Sequence, residues 1–377
     1  MPVAVRPVES RADLRRFVGL PWRIYRTGDP WVPPLRAERR RFLDRRRNPF
    51  FEHAEAQYLL AWRDGRPVGR ISAHVDHRLN EVQGNDWGLF GFFECEDDPE
   101  AAGALLGAAE AWLRARARDR MVGPMDFTTN HECGVLVEGH ERPPQILEPW
   151  QHPYYAGLLE GHGLGKAMDL LKWQLEIADR EKILPVIFEL AERLEPEHGI
   201  RIRHMRKRDL TNEVRRFVEV YRAAWERNWG FVPPTEREVE HQAKELRPIL
   251  DENWVMLAER DGETVGAALT LPDYNQVLRE LDGRLLPLGW LKALRARRRI
   301  DSVRVFALGV KPEYQHTGVA AALYVEHFEM AARTPQKWGE MGWILETNTA
   351  MNRGMEAMGG RVVKRHRVYE KALRGAE

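Results

Sequence analysis

One stretch decides the interpretation of this chain: Val310-Lys311-Pro312-Glu313-Tyr314-Gln315-His316-Thr317-Gly318-Val319-Ala320-Ala321-Ala322-Leu323. It follows a β-rich run at residues 302–310 and precedes residues 321–333, whose apolar side chains recur at helical spacing. A strand, a tight loop and a helix start suit a diphosphate, because the first N–H groups of a helix are unpaired and its dipole favours negative charge. Gly318 and Ala320 have small side chains, so phosphate oxygens could approach the backbone closely.

The spacing Val310-x-Pro312-x-x-Gln315-x-x-Gly318-x-Ala320-x-x-Leu323 resembles the acyl-CoA loop of the GNAT (Gcn5-related N-acetyltransferase) superfamily. The signature of that loop is Gln/Arg-x-x-Gly-x-Gly/Ala after a strand. The resemblance continues through a strand at residues 343–346, a helix led by Asn348 and a last strand at residues 361–369. It therefore covers residues 205–371 and implies an α/β (α+β) fold, with a mixed, mostly antiparallel, splayed sheet flanked by helices.

The resemblance also implies acyl-CoA as the co-substrate, no metal, and a set of binding residues. The pantetheine arm would pair with the backbone of the strand at residues 306–310. The N–H groups of Leu308 or Val310 could also polarise the thioester carbonyl. The pyrophosphate would be held by the loop residues, and Asn348 would contact CoA as well. These loop residues are Gln315, His316, Thr317, Gly318, Val319 and Ala320.

The sequence departs from the family pattern at the general acid. Many relatives carry a tyrosine seven residues after the asparagine, and here that position is Met355. Tyr369 and Tyr314 are the available substitutes. An amine nucleophile also needs a proton acceptor. Glu346 is the preferred base, although a structural or capping carboxylate explains it equally well, and Asp273 is the second choice.

The chain repeats itself. Residues 15–18, 31–34 and 60–69 recur in the same order as residues 215–218, 231–234 and 257–266. In each half a helix, a Pro-Pro turn and two strands joined by Asp-Gly follow one another, and Asp-Gly between apolar runs favours a hairpin. We interpret this as two tandem GNAT-like domains: residues 1–178, then a linker helix region at 179–200, then residues 201–377 with the acyl-CoA site.

The first half lacks the loop. Its matching strand, predicted at residues 87–93, is followed by five carboxylates between Glu94 and Glu100, which would oppose a diphosphate. We expect a degenerate half that does not bind CoA, its acids forming a metal site or complementing a helix N-terminus. The loops at residues 123–132 and 139–155 could bind a ligand or pack against the neighbouring domain. His131 and Glu132 have no third ligand at metal-site spacing, so no metal is expected.

Composition excludes some partners. The 58 basic and 57 acidic side chains give a net charge of +1, so no nucleic acid is expected, and the arginine runs at 39–41, 45–47 and 295–299 are interpreted as solvated helix faces. Two cysteines cannot build a disulfide framework. No apolar run approaches the roughly 20 residues of a membrane span, so no membrane insertion is expected and the predicted location is the cytoplasm.

The resulting expectation is an N-acetyltransferase. It would move an acetyl or other acyl group from acyl-CoA to the amine of a small molecule or peptide by direct attack. Two alternatives remain open: a transferase of the same fold with an aminoacyl or long-chain acyl donor, and a non-catalytic acyl-CoA sensor or scaffold. Neither half specifies the acceptor, and the sequence does not distinguish a monomer from a homodimer.

Overall fold

The computed structural model describes residues 2–177 and 179–373, whose strands join one mixed sheet of 13 strands. The first half contains seven strands and six α-helices in the described residues. In chain order they are β1 (Ala4–Pro7), α1 (Arg11–Gly19), α2 (Pro21–Ile24), α3 (Arg36–Phe42), β2 (Ala54–Arg63), β3 (Arg66–Asp76), α4 (His77–Gln83), β4 (Trp87–Cys95), α5 (Pro99–Arg114), β5 (Arg120–Gly123), β6 (Val135–Glu138), α6 (Tyr154–Gly161) and β7 (Gly165–Leu175).

The second half repeats this alternation and adds a helical insertion between two strands. Its elements are α7 (Pro185–His198), β8 (Arg201–His204), α8 (Leu210–Trp225), α9 (Glu236–Leu246), β9 (Val255–Arg260), β10 (Glu263–Pro272), α10 (Asn275–Leu281), α11 (Gly289–Ala296), β11 (Ser302–Val310), α12 (Val319–Arg333), β12 (Trp338–Leu345), α13 (Thr349–Ala357) and β13 (Arg361–Ala372). The predicted α/β fold with splayed sheet and flanking helices is confirmed. Within the described ranges, no helix combines the length and apolar composition needed to cross a bilayer.

Both Asp-Gly pairs form hairpin turns. Asp64 and Gly65 have φ values of +53° and +74°, and Asp261 and Gly262 have +50° and +85°. Two consecutive residues with positive φ form the turn whose twist matches that of the flanking strands. The β2–β3 and β9–β10 hairpins are therefore confirmed at the predicted places.

The two halves exchange their last strands. The strand order is β1-β2-β3-β4-β5-β13-β7-β12-β11-β10-β9-β8, with β6 also paired to β13. Thus β7 of the first half lies between β13 and β12, and β13 of the second half lies beside β5. An apolar strand pattern, such as that of residues 173–177, does not specify which sheet edge the strand joins, so this exchange could not be predicted from the pattern alone.

The proposed division into residues 1–178, 179–200 and 201–377 stays a prediction. Helix α7 occupies the predicted linker and packs against α12 of the second half. Residue 178, the predicted end of the first domain, and residues 374–377 lie outside the described part of the chain.

Buried ion pairs connect the exchanged strand β13 to its surroundings. Lys364 of β13 donates to Glu340 of β12 at 2.8 Å and to Glu148 at 3.1 Å, and these side chains are at most 2% exposed. Burial opposes ionisation of Glu148, but Lys172 and Lys364 outweigh it and lower the pKa of that carboxyl. Removing one member of such a network would leave an uncompensated buried charge, so a substitution at any of these side chains is expected to be strongly destabilising.

A histidine also links the two halves. His53 lies between Asp76, 2.9 Å from its Nδ1, and Glu238 of α9, 3.2 Å from its Nε2. Burial disfavours the imidazolium, but the hydrogen bonds to both carboxylates outweigh it and raise the pKa of His53 to about 9. The protonated form therefore ties α9 to the first half.

Candidate active site

The sheet opens between the parallel strands β11 and β12. Their pairing stops after the first four residues of β11. On its other edge β11 still pairs with β10, and the Lys311 N–H donates to the Val265 carbonyl at 2.9 Å. Because hydrogen-bonded pairs alternate along antiparallel strands, the N–H groups of Leu308 and Val310 point away from β10 and into the gap. The gap therefore presents backbone donors to an extended ligand.

The predicted loop ends at the open N-terminus of α12. Gly318 is the N-cap residue with φ +90°, and no described side chain caps the helix. The first bond of helical spacing runs from the Ala322 N–H to the Gly318 carbonyl at 3.0 Å. The N–H groups of Val319 and Ala320 therefore have no helical acceptor, and the positive end of the helix dipole lies beside the gap. An anion of diphosphate size fits this arrangement.

The rest of the loop is arranged around that helix start. Gln315 and His316 are exposed, so their side chains are accessible to a ligand. The Gln315 side chain donates weakly to the Val310 carbonyl at 3.4 Å, on the gap side of β11. Thr317 is buried and donates to the Tyr314 carbonyl at 2.7 Å, which tightens the turn. The structure thus brings the predicted loop and strand residues together around one gap.

An apolar groove reaches the start of the gap. It lies mainly between Val214, Phe217 and Val218 of α8 and Val239, Ala243 and Leu246 of α9. Phe306, the first residue of β11 beyond its pairing with β12, also lines it. The groove encloses about 170 Å³. Grooves with mostly apolar walls and a few polar groups are typical of small-molecule sites.

A second cavity of about 440 Å³ adjoins the groove. Glu38, Arg39, Glu132 and Glu245 line both spaces and define what we call the junction. At the junction Arg39 pairs with Glu132, and its Nη1 lies 3.6 Å from Asp126. The side chain of Arg39 is only 16% exposed, so the interpretation of residues 39–41 as a solvated face is wrong at this position.

Burial shifts the protonation of the acids near the junction. It raises the pKa of Asp126 to about 7, with further contributions from the Glu132 charge, and it raises the pKa of Glu38. Burial also opposes the charge of Arg39, but the surrounding carboxylates outweigh it and raise the pKa of that guanidinium. Several carboxyl groups thus surround one permanently charged cation, and a second cation such as an ammonium group beside them would favour their ionised forms.

His131 stands between the gap and the groove. A small space lined by Phe306, Ala307 and Trp343 adjoins the gap, and His131 and Tyr221 line both this space and the groove. The His131 Nδ1 lies 3.2 Å from Thr128 Oγ1, and burial lowers the pKa of the imidazole to about 4. The ring is therefore neutral near pH 7 and is a weaker base than a free imidazole. Among the described residues, no cluster of three or more His, Cys, Asp or Glu side chains could hold a metal ion.

Two curated proteins match almost the whole chain. A protein of Caulobacter vibrioides (strain NA1000 / CB15N) named "Bacterial ceramide synthase" is 38% identical over 98% of this chain and 98% of its own length. "Protein YghO" of Escherichia coli (strain K12) is 35% identical over 98% of this chain and 95% of its own. The chain belongs to the family of these two proteins. No protein-family model matches it.

The fold of this family member is that of the GNAT superfamily. A solved tandem GNAT protein from the clavulanic acid biosynthesis pathway covers 100% of both chains, with a TM-score of 0.58 and 12% identity. The resemblance carried by the loop at residues 310–323 is therefore confirmed, and so is the tandem arrangement. An acyltransferase is the coarse function that both the family and the fold support.

In this protein a different tyrosine lies near the position of the missing acid. Met355 is fully buried in α13, and Asn348 accepts from the Met351 N–H at 3.1 Å, which caps that helix. The hydroxyl of Tyr324, on α12, lies 3.3 Å from Met351 Sδ, between the two helices that follow the gap strands. Tyr324 lies outside the loop motif, so its place in a helical segment is the only sequence signal that points to it.

The two predicted catalytic residues lie away from the gap. Glu346 accepts from the Lys166 ammonium at 2.7 Å and from the Asp169 N–H at 3.1 Å, on the side of β12 opposite to β11. Tyr369 lies in the core of the first half, where its hydroxyl donates to Glu160 at 3.0 Å. Both placements favour structural roles. The second-choice base Asp273 accepts from the backbone N–H of Ile146 at 2.9 Å and is also buried.

The first half of this protein fills its own gap. Strands β4 and β5 pair briefly and then diverge, but the loop after β5 returns to β4. The Met125 N–H donates to the Phe90 carbonyl, and Asp126 accepts from the Phe92 N–H, both at 2.8 Å. A Cβ atom at Gly91 would lie 1.8 Å from the Met125 carbonyl oxygen, so only glycine allows this approach. The backbone that would hold pantetheine is therefore already paired.

The acids after β4 serve structural roles. Glu94 accepts from the hydroxyls of Tyr25 and Tyr155 at 2.6 and 2.7 Å. Asp98 caps α5 through the Ala101 N–H. The interpretation that carboxylates complement this helix start, rather than bind a ligand, agrees with these contacts.

Proposed function

We propose that this protein transfers a long-chain acyl group from acyl-CoA to the primary amine of a long-chain acceptor, forming an amide. The observation that carries the proposal is the apolar groove that meets the gap at Phe306. An acetyl group needs no such groove, so a long-chain donor replaces acetyl-CoA as the first choice. The name of the Caulobacter relative agrees with this chemistry, since a ceramide is a fatty acyl amide of a long-chain amino alcohol.

In this proposal the acyl-CoA occupies the gap. Backbone N–H groups of Leu308 and Val310 pair with the pantetheine arm and polarise the thioester carbonyl. The residues of the loop between Gln315 and Ala320 hold the pyrophosphate at the start of α12, and Asn348 contributes from the start of α13. The acyl chain extends past Phe306 into the groove.

The acceptor approaches from the junction. Its ammonium group is attracted by the carboxylates of Glu38 and Glu245, and its hydrocarbon chain lies in the second cavity. The ammonium group first releases one proton to solvent, because only the neutral amine has the lone pair that attacks the thioester. The neutral imidazole of His131 takes the second proton, because the nitrogen becomes strongly acidic while the N–C bond forms. This assignment replaces Glu346, whose carboxylate is held by Lys166.

Tyr324 completes the reaction. As the N–C bond forms, the C–S bond breaks and a thiolate leaves. The hydroxyl of Tyr324 donates a proton to it, a role for which its place between α12 and α13 is the support. Burial raises the pKa of Tyr324, so the group keeps its proton until a strong base such as a thiolate forms beside it.

The test is product formation. Purified protein is incubated with palmitoyl-CoA and a long-chain amino alcohol, and in parallel with acetyl-CoA, and the amides are measured by mass spectrometry. We expect the long-chain amide to predominate. If the acetyl amide were the only product, the choice of a long-chain donor would be overturned. If calorimetry showed that acyl-CoA binds but no amide formed with any amine of a panel, the acyl-CoA sensor would be favoured instead.

A further inference from the structure

The insertion between β10 and β11 exposes a dense apolar patch. Six of the ten large apolar side chains that the described residues leave exposed lie within one ten-residue stretch. They are Leu285, Leu286, Leu288, Trp290, Leu291 and Leu294. Leu286 is 75% exposed and Leu288 is 65% exposed. Apolar patches of this density mark interaction sites rather than ordinary surface.

The short helix α11 has two apolar faces. On the inner face Ala296 is buried, and Ala293 packs against the cluster of Val277 and Leu281. The outer face carries the exposed side chains of Trp290 and Leu294. Since the inner face already anchors the helix, the outer apolar side chains are not needed for the packing of this insertion.

Cations surround the patch. Residues 284–299 carry six cationic side chains and no carboxylate, although the chain as a whole is nearly neutral. They are Arg284, Lys292, Arg295, Arg297, Arg298 and Arg299, all of them exposed. Arg299 is 3.7 Å from Glu280, an exposed pair of little strength. Exposed apolar side chains among cations are the composition of a helix that lies in the interface of an anionic bilayer.

The patch is held at the edge of the second cavity. Leu281, Leu285 and Ala293 line that cavity from the side of the insertion. The Trp22 indole donates to Asp282 at 3.0 Å, which fixes the turn between α10 and α11 against the first half. A lipid that leaves a bilayer in contact with the patch would therefore enter the cavity without crossing water.

We infer that residues 284–299 form a docking surface for an anionic lipid bilayer, with the apolar side chains buried among the acyl chains and the cations at the headgroups. A second copy of the chain does not fit the same surface, since the cations of the two copies would face each other across the contact. Docking is peripheral and does not require a membrane-spanning segment. The interpretation of residues 295–299 as a merely solvated face is replaced by this role.

Vesicle flotation tests the inference. Full-length protein is mixed with phosphatidylcholine vesicles, with and without phosphatidylglycerol, and bound protein is quantified. We expect binding to the anionic vesicles only. Replacing Leu286 and Trp290 together by glutamate should reduce the partition coefficient at least roughly tenfold, because two side chains no longer leave water. Replacing Arg297 and Arg298 by glutamine should reduce it by about fivefold per cation.

The control is Val82→Glu, which places the same charge at an exposed apolar position on α4, outside the insertion. It should bind vesicles like the unaltered chain, and all variants should keep the same melting temperature because the altered side chains are exposed. Equal binding by every variant, or binding by none including the unaltered chain, would overturn the inference. So would sedimentation showing that Leu286→Glu with Trp290→Glu dissociates a dimer. Amide synthesis is not the readout, so failure here leaves the proposed function intact.

Discussion

Narrowing the apolar groove should change the chain-length preference of the enzyme without abolishing its chemistry. Ala243 of α9 is half-buried and lines the groove opposite α8. In Ala243→Trp the indole would displace about four methylene groups of a bound chain, each contributing ~0.8 kcal/mol. The loss of ~3 kcal/mol corresponds to a roughly 100-fold lower kcat/KM for palmitoyl-CoA. Acetyl-CoA and butyryl-CoA do not reach this depth, so their kcat/KM should stay unchanged.

The assay follows release of the CoA thiol with a colorimetric reagent, which the protein itself does not consume while folded because Cys95 and Cys133 are both buried. Ala111→Trp, at an exposed position of α5 outside the cavities, is the matched control and should behave like the unaltered chain. An equal loss for short and long donors would refute the assignment of the acyl chain to the groove. A preference that shifts with the length of the acceptor amine instead would place the acceptor there.

Three further outcomes follow from the geometry. Ala320→Glu puts a carboxylate where the pyrophosphate meets α12, so calorimetry should show at least a roughly 100-fold weaker CoA affinity, while Ala320→Ser should bind normally. Tyr324→Phe should lower kcat by about 100-fold with little change in KM, and unchanged activity would exclude the hydroxyl as the acid. The raised pKa of His53 implies stability that is complete below its unfolded value of 6.5 and lost as pH rises through about 9. His53→Gln should remove that dependence from denaturation curves, since Asp76 and Glu238 then lack their cationic partner.

The local elements of the site could be read from the sequence because each is encoded by neighbouring residues. Gly318 supplies the positive φ at the start of α12, and the β-rich run before it forms the strand that lines the gap. The Asp-Gly hairpins formed where predicted for the same reason. Turn chemistry and apolar periodicity act over a few residues, so a sequence pattern determines them without knowledge of the remaining chain.

Features that depend on distant pairing could not be read in this way. The pattern of β7 predicts a strand, but its partner residues in β12 and β13 lie between 164 and 205 positions further along the chain. Arg39 belongs to a run of arginines that resembles a solvated helix face, yet it pairs with Glu132, which lies in a loop distant in sequence. The pairing of Glu346 with Lys166 follows from the same strand exchange. Sequence spacing alone could therefore not show that the carboxylate of Glu346, the predicted base, already has a cationic partner.

The strand exchange explains why a half without a cofactor site still matters for the chemistry. The first half closes its own gap with Met125 and Asp126, so in the proposed reaction only the second half holds acyl-CoA. The loop that closes the gap continues to His131 and Glu132, which line the groove and the junction of the second half's site. A site with walls from two halves works only if the halves hold a fixed orientation. Because β7 and β13 each pair with strands of the other half, the orientation is set by the hydrogen bonds of one continuous sheet rather than by a sliding interface. In the proposed reaction, one copy of the fold thus binds the cofactor and the other copy forms a wall of the substrate cavity.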